Sequence, residues 1–265
     1  MLTISRFAAV AIAAMALGVI AEGQSSEPCT LGVNGYMGYG TSRKTGAPYS
    51  ATVKTTFDQT LPGGNSIHGT TRARQARDSV GKTLSEFVTG CLRGEDGQPQ
   101  ERLQINVDDP VTKTHMFWQV NDYSSPKIVR LSHYDERPRP QLTPEEIAAR
   151  AKASRMQQPP SKQWHTEELG TKMIDGVTVR GRRSVRTVPA GEEGNELPLE
   201  IIDESWESRD MGLTLLRIYD DPRRGKTTTE FENLSLAEPD PALFAVPAGY
   251  KVEEVHPNVV AVGPQ

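Results

Sequence analysis

Apolar and polar residues alternate along much of the chain after residue 48, which is the pattern of half-buried β-strands. In the first such segment, Ala51, Val53 and Thr55 fall on one face. Turn residues, mainly Gly, Pro, Asn and Asp, separate each segment from the next. The pattern predicts strands at residues 49–59, 66–75, 82–89, 101–107, 115–120, 127–131, 164–173, 177–188, 197–208, 213–219 and 226–234. Because most consecutive strands are joined by short turns, we expect them to pair antiparallel in a meander.

One segment between the two sets of strands has helical character. Thr143 suits the N-cap, Pro144 suits the first helical position, and the acids that follow complement the positive end of the helix dipole. Two consecutive prolines at 159 and 160 come after it, so the sequence predicts a helix over 143–156. The predicted fold class is therefore mainly β (α+β), an antiparallel meander with one inserted helix. Since the apolar residues of the helix are mostly alanine, we expect it to lie at the surface with a narrow contact stripe.

The N-terminus has the features of a secretory signal peptide. The segment from Met1 to Arg6 carries one positive charge, and an apolar run then extends to Ala21, where small residues favour cleavage. This run is short for a membrane span, although an uncleaved anchor remains the alternative. We therefore predict a signal peptide at 1–21 and a mature protein that is periplasmic or secreted.

The mature chain is predicted to hold a single domain. Residues 22–48 are rich in Gly, Ser and Pro and form a predicted flexible lead-in, followed by one antiparallel β domain at 49–255 and a tail at 256–265. A mean hydropathy of −0.52 argues against repeated membrane spans. The formal net charge of −4 gives no basic excess that would favour nucleic acid. We expect that the protein is not an integral membrane protein after the signal peptide is cleaved.

The chain has two cysteines, Cys29 and Cys91. An oxidising compartment would allow one disulfide between them, which on loop-entropy grounds stabilises by at most about 4 kcal/mol. Two unpaired thiols remain the alternative. The absence of a CxxC motif argues against a redox enzyme.

No motif in the sequence indicates catalysis. The five histidines lack the spacing of metal ligands, and the chain has neither a GxSxG nucleophile motif nor a P-loop. Two acid pairs, Asp108-Asp109 and Asp220-Asp221, each precede a proline, which is typical of turns rather than of a catalytic dyad. The histidines are His68, His115, His133, His165 and His256. We therefore expect that the protein is not an enzyme and that it has no metal site and no cofactor.

A basic stripe is predicted on the strand at 177–188. The two-residue period places Arg180, Arg182 and Arg186 on one face. Acids at 200, 203, 204 and 207 lie on the following strand, so cross-strand ion pairs on a solvated face are the favoured interpretation. A stripe that binds an anion or a partner protein is the alternative.

Short motifs along most of residues 50–252 resemble a group of exported bacterial proteins of unknown function, of the acidobacterial type. They are Arg77-Asp-Ser-Val-Gly81, Asp109-Pro-Val111, Leu169-Gly-Thr, Ile174-Asp-Gly-Val177, Val188-Pro-Ala-Gly191 with Gly194-Asn195, Trp206-Glu-Ser, Asp221-Pro-Arg, Gly225-Lys-Thr-Thr and Glu238-Pro-Asp-Pro-Ala-Leu-Phe244 with Val246-Pro247. The strands that end in this Pro-Asp-Pro-x-Leu-Phe turn also resemble the LolA/LolB/RseB lipoprotein-carrier superfamily. That resemblance implies a half-open antiparallel barrel, plugged by helices, without catalytic residues.

The meander and the resemblance favour a non-enzymatic periplasmic binding or carrier domain. An apolar groove between the sheet and the helix would hold a lipid or a lipidated partner such as a lipoprotein. The candidate groove residues, all of which are also ordinary core types, are Phe117, Trp118, Trp206, Leu215, Phe231 and Phe244. The alternative is an envelope protein-interaction or stress-sensing module that recruits an envelope protein through exposed strands or the arginine stripe. A hydrolase with a non-standard site is the third hypothesis, and it requires converging histidines and acids.

Overall fold

The computed structural model describes residue 29 and residues 44–122, 126–134, 143–157 and 164–255. The predicted signal peptide, most of the predicted lead-in and the predicted tail lie outside these residues, and the domain boundaries remain predictions.

Strands dominate the described part of the chain, and all twelve of them belong to one sheet. Their bounds are β1 Tyr49–Thr60, β2 Ser66–Arg77, β3 Thr83–Arg93, β4 Pro99–Asp109, β5 Thr114–Val120, β6 Ile128–His133, β7 Trp164–Ile174, β8 Val177–Val188, β9 Leu199–Ser208, β10 Leu213–Asp221, β11 Gly225–Ser235 and β12 Lys251–Glu254. The prediction of a mainly β fold is confirmed.

Two meanders make up the sheet, and they are joined by the long-range pairing of β1 with β11. The strand order is β12-β6-β5-β4-β3-β2-β1-β11-β10-β9-β8-β7. Every pairing is antiparallel except that of β12 with β6, which is parallel. β12 was not among the predicted strands. Because β7 and β12 lie at opposite ends of this order, the sheet is half-open and not closed into a barrel.

The turn between β7 and β8 illustrates how the sequence produces the meander. Asp175 has φ 45° and Gly176 has φ 78°, the backbone conformation of a two-residue type I′ hairpin. The twist of this turn matches that of the flanking strands, and β7 and β8 pair from Ile174–Val177 to Trp164–Arg186 with one register shift between Glu168 and Gly170.

The sheet carries two separate apolar cores. The β8–β11 core consists of Tyr49, Ala51, Val53, Val177, Val179, Trp206, Leu213, Leu215 and Phe231. The β3–β6 core consists of Ala76, Leu84, Val88, Leu103, Ile105, Val107, Trp118, Val129 and Phe244. In the β1–β2 pair, Ala51 lies opposite Gln75, and Ala76 lies opposite Ser50. Directly opposed residues share a face, so Ala51 and Ala76 point to opposite faces and the two cores are distinct.

Arg77 anchors three segments at the edge of the β8–β11 core. Its side chain is fully buried, with 0% exposure. It donates hydrogen bonds to the carbonyl oxygens of Ala47 and Met211 and lies 5.0 Å from the centroid of the Tyr49 ring. One buried guanidinium therefore ties the residues before β1 and the β9–β10 turn to the end of β2.

The predicted helix is confirmed as α1, Pro144–Gln157. Its capping box is formed: the amide of Glu146 donates to Oγ1 of Thr143 at 3.2 Å, and the amide of Thr143 donates to Oε2 of Glu146 at 2.7 Å. The side chains at 143–150 are all exposed, including Ile147 at 56%. In the ranges that the structure describes, no helix is both long enough and apolar enough to span a bilayer.

Candidate functional site

A groove of about 380 Å³ lies on one face of β3, β4 and β5, beneath a segment that follows β11. Its floor arises from strand periodicity, because Leu103 and Ile105 are two residues apart on β4 and therefore point to the same face. Ile105 on β4 lies opposite Trp118 on β5, and Leu103 lies opposite Val120. The complete lining is Arg74, Leu84, Glu86, Leu103, Ile105, Trp118, Val120, Asp240, Ala242, Leu243, Ala245, Val246 and Pro247.

The roof of the groove is residues 236–250, which we call the strap. It contains a short 3₁₀ helix, η1 Pro241–Phe244, whose N-cap Asp240 accepts a hydrogen bond from the amide of Ala242 at 2.9 Å. Phe244 is 5% exposed and belongs to the β3–β6 core. The strap, and not α1, therefore borders the groove, which differs from the sequence-based expectation.

Polar contacts fix the strap at both ends. At its start, the amide and hydroxyl of Ser79 donate to Oε1 of Glu238 at 3.0 and 3.3 Å. Near its end, the hydroxyl of Tyr250 donates to the carbonyl oxygen of Gln119 at 2.7 Å. Between these points, four apolar side chains attach the strap to the sheet. They are Leu243, Phe244, Val246 and Tyr250.

One end of the groove is polar and is formed by Arg74 and Glu86. Glu86 on β3 is buried, with 3% of its side chain exposed, whereas 55% of the Arg74 side chain is exposed. Oε1 of Glu86 accepts from Nε and Nη2 of Arg74 at 2.8 and 2.5 Å, and Oε2 accepts from the Arg74 amide at 2.9 Å. These hydrogen bonds raise the pKa of Arg74. The guanidinium is therefore permanently charged and held in one orientation.

Further charges continue this polar end across the middle of the sheet. Nζ of Lys54 lies 3.1 Å from Glu230 and 3.2 Å from Glu232, and Nε of Arg72 lies 3.4 Å from Glu232. Burial raises the pKa of Glu101, and the positive charge of Arg72 only partly offsets this effect. The groove thus passes from an apolar end at Trp118 to a charged end at β2.

Neither a protein-family model nor a curated protein matches the chain. Among solved structures, the complex of MucA and MucB from Pseudomonas aeruginosa is 14% identical, with a TM-score of 0.37, and covers 78% of this chain and 58% of that chain. The lipoprotein LppX of Mycobacterium tuberculosis is 12% identical, with a TM-score of 0.27, covering 74% and 91%. LprF of Mycobacterium bovis is 13% identical, with a TM-score of 0.26, covering 73% and 90%.

MucB, LppX and LprF are what the described fold is similar to. The chain spans little more than half the length of the MucB chain. Because all of these TM-scores are low, we draw no functional conclusion from the overlaps.

The structure separates the predicted groove residues. Trp118 lines the groove, and Phe244 packs in the core beside it. Phe117 points to the opposite face of β5, where the guanidinium of Arg130 lies 6.0 Å from its ring centroid. Three of the predicted residues, Trp206, Leu215 and Phe231, belong to the β8–β11 core. Which of these residues contacts a ligand remains a prediction.

The predicted arginine stripe lies on one face of β8, remote from the groove. Arg180 and Arg182 are exposed and Arg186 is half-buried. Arg180 pairs with Glu168 of β7, Nε to Oε2 at 2.9 Å, and Arg186 pairs with Glu193 in the β8–β9 loop. Two acids of β9 form ion pairs with arginines outside the stripe, Glu204 with Arg183 and Asp203 with Arg217, although the charge of Arg182 also acts on Asp203. A role of the stripe in binding remains a prediction.

Cys29 and Cys91 form a disulfide, with Cα atoms 5.7 Å apart. This bond fixes the residue at position 29 to the far end of β3. The predicted pairing is therefore present in the structure.

The two acid pairs serve turns, as the sequence predicts. Oδ1 of Asp109 accepts from the amides of Val111 and Thr112, and Oδ1 of Asp221 accepts from the amide of Arg223. Across the part of the chain that the structure describes, no group of three His, Cys, Asp or Glu side chains is placed to hold a metal ion.

Sequence reasoning missed Arg74, Glu86 and the strap. Glu86 falls between Leu84 and Val88 at a position of β3 whose side chain faces the core. A charged residue at such a position indicates a buried partner, and the sequence therefore carried a sign of this ion pair. The apolar pair Leu243-Phe244, which lies between two prolines, was a second sign in the sequence. The sequence analysis interpreted this segment as a turn.

Proposed function

We propose that the chain is a non-enzymatic periplasmic binding or carrier domain, and that the strap groove holds the apolar part of a lipid or lipidated partner. The observation that supports this most is the groove itself. Its floor is formed by the large apolar side chains of Leu84, Leu103, Ile105 and Trp118, which are 1–8% exposed beneath the strap and would be uncovered if the strap lifted. Transfer of an acyl chain from water into such a site contributes about 0.8 kcal/mol per buried CH₂.

The strap supplies a route of entry. Its attachment depends on a few side chains, and backbone hydrogen bonds to the sheet begin only with Lys251, whose amide donates to the carbonyl oxygen of Lys127 at 2.9 Å. A segment held in this way opens at a lower free energy than a strand within the ladder. We propose that lifting of η1 admits the chain of the ligand.

A blocking substitution tests the proposal. Ala242 lines the groove and is exposed, so Ala242→Trp places an indole beside the cavity without breaking a core contact. Binding of a fluorescent acyl probe should weaken by about tenfold, the equivalent of about 1.4 kcal/mol. Ala237→Trp is the matched control, because Ala237 is an exposed strap residue outside the lining. If both variants bind like the parent protein, the groove is not the binding site.

An envelope protein-interaction or stress-sensing module is the second candidate, and the exposure of Arg180 and Arg182 favours it. In this case the arginine stripe would contact an acidic surface of a partner protein. Charge reversal at both positions should abolish capture of that partner while leaving acyl-probe binding intact. Loss of probe binding with retained partner capture would reject this role for the stripe.

A further inference from the structure

One row of side chains crosses the groove floor at right angles to the strands and changes from charged to apolar. Glu86 on β3 lies opposite Ile105 on β4, and Ile105 lies opposite Trp118 on β5. Arg74 on β2 extends the row beyond Glu86, to which it is hydrogen-bonded. Neighbouring strands are about 4.8 Å apart, so the row from Arg74 to Trp118 spans about 14 Å. Its length and polarity match an amphiphile lying across the strands.

Arg74 retains donors that its partner does not use. Glu86 engages Nε and Nη2 through a single oxygen, and its second oxygen is taken by the Arg74 amide. In the described part of the chain, Nη1 of Arg74 meets no acceptor. Since 55% of the side chain is exposed at the groove, this edge of the guanidinium is accessible to a ligand. Buried Glu86 acts as the positioning residue that holds Arg74 with its free edge outward.

We infer that the groove selects amphiphiles whose head is an oxyanion, with Arg74 as the residue that binds the head. This inference rests on the proposed function and adds the class of ligand. A guanidinium binds carboxylate or phosphate oxygens through parallel N–H donors, and such charge-assisted bonds are about twice as strong as neutral ones. Arg74 is the one basic residue among the described lining residues, and both acids of the lining accept hydrogen bonds from the protein itself, Glu86 from Arg74 and Asp240 from the Ala242 amide.

Calorimetric titration of the mature protein with four probes tests the inference. The probes are dodecanoate, dodecanol, dodecylammonium and acetate, each below its micelle concentration. Dodecanoate should bind about tenfold more tightly than dodecanol, the expected gain from a charge-assisted pair at a partly exposed site. Acetate should bind far more weakly than dodecanoate, because it lacks the chain that fills the apolar end.

A double variant removes the guanidinium of Arg74 without leaving a buried carboxylate unpaired. Arg74→Gln/Glu86→Gln replaces the ion pair by two neutral amides, so no unpaired buried carboxylate remains. It should bind dodecanoate and dodecanol equally. The matched control is Arg180→Gln/Glu168→Gln, a cross-strand pair whose arginine is 53% exposed, and it should keep the selectivity of the parent. Arg74→Lys preserves the charge and should reduce the selectivity only in part. If the double variant does not fold, this single variant still tests the role of the guanidinium.

The outcomes separate the two proposals. Three results overturn the inference and leave the carrier proposal standing. They are equal binding of dodecanoate and dodecanol by the parent protein, tighter binding of dodecylammonium, and full selectivity in the Arg74→Gln/Glu86→Gln variant. Acetate binding as tight as that of dodecanoate shows a free-anion site and also overturns it. If none of the three dodecyl probes binds, the proposed function fails and the inference fails with it.

Discussion

Removal of the buried guanidinium of Arg77 should be among the most damaging single changes in this protein. Arg77→Met keeps an unbranched apolar stem about as long as that of arginine up to Nε, but deletes three N–H···O contacts. Nε and Nη2 lie 2.9 and 2.6 Å from the Ala47 carbonyl oxygen, and Nη2 lies 2.8 Å from that of Met211. The substitution therefore leaves two carbonyl groups without these donors.

The magnitude follows from those contacts. Each orphaned buried acceptor costs about 1–3 kcal/mol, and hydrogen bonds from a charged donor contribute about 1.5–3 kcal/mol. Burial lowers the pKa of Arg77, which reflects a desolvation penalty that the methionine removes. We therefore expect a net loss of about 3 kcal/mol in the free energy of unfolding, a large part of the 5–15 kcal/mol typical of a domain.

Urea unfolding followed by tryptophan fluorescence measures this loss, provided that the slope with denaturant is unchanged. The control is Arg93→Met, an exposed arginine with one hydrogen bond to the carbonyl oxygen of Gly97, for which a change within about 0.5 kcal/mol is expected. A loss of less than about 1 kcal/mol for Arg77→Met would refute the view that this side chain joins the segments around it.

Three further changes are predictable from the described contacts. Gly181→Ala should destabilise by about 1–3 kcal/mol in urea unfolding, because an added Cβ would lie 2.6 Å from the Trp206 ring. Glu101→Gln should raise the urea midpoint at pH 7 and leave it unchanged near pH 4, because burial raises the pKa of Glu101 and so penalises only its charged form. Asp221→Asn should be destabilising at pH 7, because hydrogen bonds from Arg223 hold the pKa of Asp221 below its usual range. The contribution of Asp221 is present above its unfolded pKa of about 3.9 and is lost as the pH falls through the lower folded value, so the urea midpoints of parent and variant should converge there.

Local patterns in the sequence were sufficient for the strands, the helix and most turns. The alternation Ala51-Thr52-Val53 and the capping residues Thr143 and Pro144 depend only on neighbours in the chain, and the structure has the expected elements there. The pairing of β1 with β11 could not be predicted in the same way, because it joins segments about 170 residues apart through main-chain groups that every sequence has.

The candidate site was harder to predict because its composition depends on register. Trp118 and Trp206 are equally apolar, and only the strand order places Trp118 beside the groove and Trp206 in the β8–β11 core. An extra residue between Thr214 and Leu216 shifts the β9–β10 register near Trp206, which the two-residue period does not anticipate. The Arg74–Glu86 pair likewise exists only once β2 and β3 are aligned.

The proposed function requires the groove beneath the strap to hold an acyl chain, and mass spectrometry of an organic extract tests this requirement most directly. The predicted mature protein, residues 22–265, would be produced in a bacterial periplasm and purified without detergent, beside its Ala242→Trp variant. A stoichiometric lipid or acylated species is expected with the parent protein and little with the variant. A folded parent protein that yields no lipid, or a variant that carries as much lipid as the parent, would contradict it.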